Sequence, residues 1–168
     1  MISINDLIHA RPYPEFFGPV EMDPLQETDA LQEAQLLDSR LCHLTSTAAL
    51  LFEMRTSLQF DVGNSALLVV RGLRSFDWKS PSEQAPLAAL TVVSSVADRL
   101  GDFLRMRFEF FPKVHLALEG HLAEFYVLEV EGIGDVPPDY SSVDLKNIQG
   151  ALPSWSSACS LLQASTSN

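Results

Sequence analysis

Two imidazoles and a carboxylate, His115, Glu119 and His121, are the side-chain types that a catalytic zinc site uses. The spacing argues against a shared ion. Residues four apart on an extended chain stand roughly 13 Å apart, beyond the reach of one metal, and a bulge at Gly120 would draw only Glu119 and His121 together. Cys42-His43 invites a nucleophile–base reading, but neighbours on a strand point to opposite faces. Ser154, Ser156 and Ser157 lack the Gly-x-Ser-x-Gly frame of a nucleophile elbow, and Gly132-Ile133-Gly134 is too short to cradle a phosphate. Arg71, Arg74, Arg105 and Arg107 form the remaining cluster; Arg105 and Arg107 share one strand face, suited to cross-strand ion pairing or to an acidic ligand. No catalytic residue, metal site or cofactor is assigned, and the residues favour a binding role over an enzyme.

The elements that position these groups read mostly as strands. Leu50, Phe52, Met54, Leu58 and Phe60 alternate with Glu53, Arg55, Ser57 and Gln59, which predicts a strand with a solvated or partner-facing polar row. Asp61-Val62-Gly63-Asn64 supplies a turn, and Ala66 to Trp78 returns as a second strand. Ser39–Leu44, Leu87–Val96, Phe103–Phe111, Val114–Leu118 and Leu122–Val130 complete six or seven strands, the last ending at Gly132 and Gly134. Their short connections require an antiparallel sheet.

Asp23-Pro24 offers a cap and a first helical proline, so residues 23–37 are expected to form a helix with Leu25, Ala30, Leu31, Ala34 and Leu37 on its apolar face. Ile4, Leu7 and Ile8 suit a single helical turn, and Phe16-Phe17-Gly18-Pro19 a plug on the sheet. Ser142 is expected to cap a short C-terminal helix through Gln149; Pro153, Trp155 and a Ser-rich end follow, with the last few residues expected to fray. The expectation is one α+β domain over residues 1–168: an irregular segment 1–22, the helix 23–37, an antiparallel curved sheet 39–131, and a C-terminal segment 135–168.

Charge is the most informative global feature. The 168 residues carry a net charge of −11. Residues 1–39 hold a net of −7, residues 40–118 a net of +2, and residues 119–168 a net of −6. Such a field repels nucleic acid and anionic membrane and attracts a protein partner with a basic surface. Asp23, Glu27, Asp29, Glu33 and Asp38, with Trp155 as an aromatic anchor, are the candidate partner-binding residues; Arg105, Arg107, His115 and His121 are the ligand-binding alternative, on a cleft of the sheet. No run of eighteen apolar residues predicts a membrane span, and the start from Met1 to Phe17 lacks a secretory pattern, which predicts a cytoplasmic protein. In such a compartment Cys42 and Cys159 are expected to be reduced thiols.

The order Leu37-Asp38-Ser39-Arg40, Leu50-Leu51-Phe52-Glu53-Met54-Arg55, Leu67 to Trp78, and Ala123-Glu124-Phe125-Tyr126 resembles small bacterial α+β proteins, and is similar in style to the immunity proteins of polymorphic toxin systems. The resemblance spans residues 36–131 and rests on hydrophobic patterns. It implies a non-catalytic, acidic protein that binds and neutralises one toxin domain, and no family binding residue carries over.

Overall fold

Strands that are apolar on both faces need cover on both, and the architecture follows from that demand. The structure, a computed structural model, describes residues 2–9, 18–81, 89–141 and 144–167. Among the described residues, ten strands form one antiparallel sheet: β1 (Ile2–Ser3), β2 (Gln35–Cys42), β3 (Thr47–Glu53), β4 (Ser65–Arg71), β5 (Ser75–Lys79), β6 (Leu90–Leu100), β7 (Phe103–Phe111), β8 (Val114–Gly120), β9 (Leu122–Val130) and β10 (Ala158–Thr166). Their spatial order is β1-β10-β9-β4-β3-β2-β6-β7-β8-β5. One helix, α1 (Ile4–His9), and two 3-10 turns (Leu145–Asn147 and Gln149–Ala151) are the helical elements among the described residues.

The sheet folds over on itself at a narrow join. β2 meets β6 at only two register positions, Gln35–Thr91 and Leu36–Leu90. Beyond that join, β6-β7-β8-β5 lies across β9-β4-β3-β2, and Leu50, Phe52, Leu68 and Phe125 share one core with Met106, Phe108, Leu116 and Leu118. The Phe52 and Phe108 rings meet across it at 6.0 Å. A second core, on the other face of β3, β4 and β9, is closed by Ile4, Leu7 and Ile8 of α1 and by Ile133, Cys159 and Ala164. The outer face of β6-β7-β8-β5 alternates charged and polar residues toward solvent.

The chain crosses between the two layers twice at one corner, β4 to β5 and β8 to β9. There the His121 N–H donates to the Arg71 carbonyl at 2.9 Å. Gly120 permits the approach: a Cβ at that position would stand 2.3 Å from Val70 Cγ1 and 3.0 Å from the Arg71 oxygen.

The structure corrects the α+β expectation: the chain is nearly all sheet. The helix expected over 23–37 is absent. Residues 24–33 are successive turns, with Asp29 and Glu33 at φ of 62° and 69°, a left-handed conformation that no helix sustains. Tertiary hydrogen bonds outcompete the helix: the Asp29 and Glu33 N–H groups donate to Ser95 and Val92 of β6, and Val92 N–H returns to Ala34. The apolar residues assigned to a helix face, Leu25, Leu31 and Ala34, instead plug the end of the first core. Asp23 does cap, accepting from Leu25 N–H at 2.9 Å, but the turn it starts does not propagate.

The short C-terminal helix is replaced by the two 3-10 turns, the first capped by Asp144; Ser142 lies outside the described residues. The Ser-rich end is strand β10, paired with β9 from Cys159–Val130 to Thr166–Glu124, so that Ser165 and Thr166, near the end expected to fray, are held in the sheet. β3 stops at Glu53, so Thr56 to Phe60 belong to a loop and not to the strand. Phe16, Phe17 and residues 82–88 of the loop and strand expected there also lie outside the described residues. No described helix is long and apolar enough to cross a membrane.

Candidate interaction surface

The polar residues of the chain divide into those that knit the fold and those left facing outward. Glu53 and Arg55 were expected on a solvated row, yet their side chains are 0% and 4% exposed. Arg55 Nε and Nη2 donate to the two oxygens of Glu53 at 2.8 and 2.5 Å. Nη1 donates to the carbonyls of Ile133 (2.8 Å) and Val136 (3.1 Å), and Nη2 also to Ala151 (2.7 Å). One planar guanidinium thereby pins the 133–151 segment to the end of β3. Burial, with the Glu53 charge beside it, pushes the Tyr140 phenol well above its ordinary range.

Arg71 repeats the device under α1. It grips Glu124 through Nε (2.8 Å) and Nη2 (3.1 Å) and donates to the helix-end carbonyls of Ile8 (2.8 Å) and Leu7 (3.1 Å). The buried Tyr126 hydroxyl donates to the same carboxylate at 2.7 Å. These clusters are structural, and each ties a covering segment to the sheet.

The residues singled out for partner binding fall into two groups. Asp23 is engaged by Leu25 N–H and the Ser165 hydroxyl, Asp29 accepts from the Ser94 hydroxyl and Ser95 N–H, and Asp38 accepts from the Trp155 indole N–H at 2.8 Å. Trp155 itself packs on the second core, half-buried. Glu27 and Glu33 are exposed.

The alternative ligand set lies chiefly on the outer face of β6-β7-β8-β5. Arg105 pairs with Glu119 and Arg107 with Asp98, both at 2.8 Å; His115 stands 4.0 Å from Glu109, and Lys79 lies 3.6 Å from Asp77. Small Ala117 leaves a shallow depression of 270 Å³ at which Arg107, His115, Lys79 and Asp77 converge. His121 sits apart, exposed at the β8–β9 corner. No group of three His, Cys, Asp or Glu side chains suited to a metal ion occurs among the described residues. Cys42 and Cys159 are both free thiols. Hydrogen bonding from Thr45 draws the Cys42 pKa down, whereas burial pushes Cys159 up to about 11.

A different surface emerges where three loops meet. The Thr56 hydroxyl donates to the Glu33 carbonyl (2.7 Å) and Leu58 N–H to Gln32 (3.3 Å), joining 31–34 to 54–64. Arg55 and Asn64 join 54–64 to 129–136, Asn64 Nδ2 donating to the Val130 carbonyl at 2.9 Å. These loops carry exposed Glu33, Asp61, Glu129, Glu131 and Asp135, against a single base, Arg55, that is buried and paired. Among them stand Leu58, 68% exposed, and Val136, 75% exposed. Of this set only Glu33 was singled out from sequence. The joining of distant acidic segments at one end has no local signal.

The chain matches no protein-family model, no curated protein and no solved structure.

Proposed function

We propose that this chain is a non-catalytic, acidic protein-binding module whose partner presents a basic surface, in the manner of an immunity protein that neutralises a toxin domain. The observation that carries the reading is the three-loop end, where hydrogen bonds join loops that carry five exposed carboxylates and the solvent-exposed Leu58 and Val136. Carboxylates at a rim steer and orient a basic partner, while exposed apolar side chains supply area to bury on docking. The 270 Å³ depression on the outer sheet is a weaker candidate, because its charged side chains are already paired, Lys79 with Asp77 on the same strand and Arg107 with Asp98 on the next.

The test is capture from the native host with the chain as bait. A stoichiometric protein that elutes as salt rises, and that a D61K/E131K/D135K variant fails to hold, supports the reading. Equal recovery by the charge-reversed variant, or no stoichiometric protein, contradicts it. A toxin reading frame beside the gene would identify the partner class.

A further inference from the structure

We infer that the depression over Ala117, on the outer face of β6-β7-β8-β5, binds a small zwitterion, a molecule with a carboxylate at one end and an ammonium group at the other. The inference does not depend on the protein-binding reading and concerns a different surface from the three-loop end. At 270 Å³ the hollow is too small for a protein and lies near the lower end of small-molecule pockets, about 300 Å³.

The register explains why a hollow forms there. β8 lies between β7 and β5, so each outward residue of β8 has a neighbour on either side. Glu119 stands between Arg105 and Ser75, and its carboxylate closes that row by accepting from Arg105 Nε at 2.9 Å. His115 stands between Glu109 and Lys79, its imidazole 4.0 Å from the Glu109 carboxylate. In the row between these two stands Ala117, flanked by Arg107 and Asp77. A methyl group fills little of that row. A cation and an anion whose Cα atoms lie two strand spacings apart, roughly 9.6 Å, thus form opposite walls of the hollow.

Both walls keep hydrogen-bonding capacity for a ligand. Among the described residues Arg107 donates only through Nη2, to Asp98, which leaves its Nε and Nη1 donors open. Asp77 meets only Lys79, at 3.6 Å, too long for a hydrogen bond, so both carboxylate oxygens remain acceptors. These pairs are solvated, from 42% exposure at Asp98 to 73% at Lys79, and solvated pairs add too little to hold their charges against a competing ligand. The local charges also select the ligand class. Arg107 and Lys79 are balanced by Asp77 and Glu109, so a ligand of one sign gains no net attraction. A zwitterion laid across Ala117, with its carboxylate at Arg107 and its ammonium at Asp77, opposes the dipole of that row and is attracted at both ends.

The probes are glycine, β-alanine, γ-aminobutyrate and ε-aminocaproate, which differ only in the distance between their charges. Each is titrated into the full chain at constant ionic strength and followed by amide NMR. The expected result is saturable shifts at Asp77, Arg107 and Ala117, with an affinity that peaks at one charge separation. Butyrate and butylamine, each carrying one charge, bind ~tenfold or more weakly than the best probe. R107Q removes one wall, and A117L fills the hollow from the outward face of β8; each weakens the best probe ~tenfold or more. Shifts that do not saturate or that fall elsewhere, affinity indifferent to charge separation, equal binding by the singly charged controls, or full affinity in either variant would each overturn the inference.

Discussion

Replacing Arg55 by alanine strands a carboxylate. Glu53 is fully buried, and the variant removes both guanidinium bonds to it together with the donors to Ile133, Val136 and Ala151. Removing one member of a buried, hydrogen-bonded ion pair costs about 3–5 kcal/mol, because the other charge is left without compensation. For a chain of this size each kcal/mol lowers Tm by roughly 2–4 °C, so R55A is expected to melt roughly 6–20 °C below the parent. Urea unfolding followed by circular dichroism gives the free energy, and limited proteolysis reads the release of the 133–151 segment. An E53L/R55M double variant keeps the apolar volume without the charges and should recover much of the loss, since the penalty lies in the unpaired charge. A loss under about 1 kcal/mol for R55A, or additive losses in the double variant, would refute the view that this pair is a buried clamp.

Three further outcomes follow from the same geometry. Gly120→Ala places a methyl against Val70 and the Arg71 carbonyl at the layer crossing, and should cost about 1–3 kcal/mol by chemical denaturation. Near neutral pH a disulfide reagent should titrate Cys42 rapidly in the native chain and Cys159 only after unfolding. Because Cys159 is raised from 9.0 to about 11 in the folded chain, the native state holds its proton where the unfolded state releases it. Stability is therefore present below pH 9 and falls as pH rises toward 11, a trend that C159A should flatten in melting curves.

The strands with one wet face were legible from residue order. β7 begins and ends where alternation places it, because Arg105, Arg107 and Glu109 face water while Leu104, Met106 and Phe108 face the core; β9, buried on both faces, was legible as an apolar run bounded by glycines. The same reasoning misjudged Glu53 and Arg55, whose solvent face is covered by residues about 80 positions later. Alternation reports only that two faces differ, and an ion pair that neutralises itself looks like a wet face. Residues 23–37 carried helical composition, but their backbone bonds go to β6, a partner that no local window contains. β10 was missed because a bulge between Leu161 and Gln163 breaks its two-residue period. The acidic end was half visible: the charge of each flank is plain in the sequence, whereas the hydrogen bonds that bring the loops together are tertiary.

The central claim, that the three-loop end holds a basic partner, is tested most directly by association kinetics with the protein captured from the host. The account predicts an association rate that falls steeply as salt rises, and a D61K/E131K/D135K variant that associates at least ~tenfold more slowly at low salt with its fold unchanged. A rate indifferent to salt and to the three reversals would contradict it.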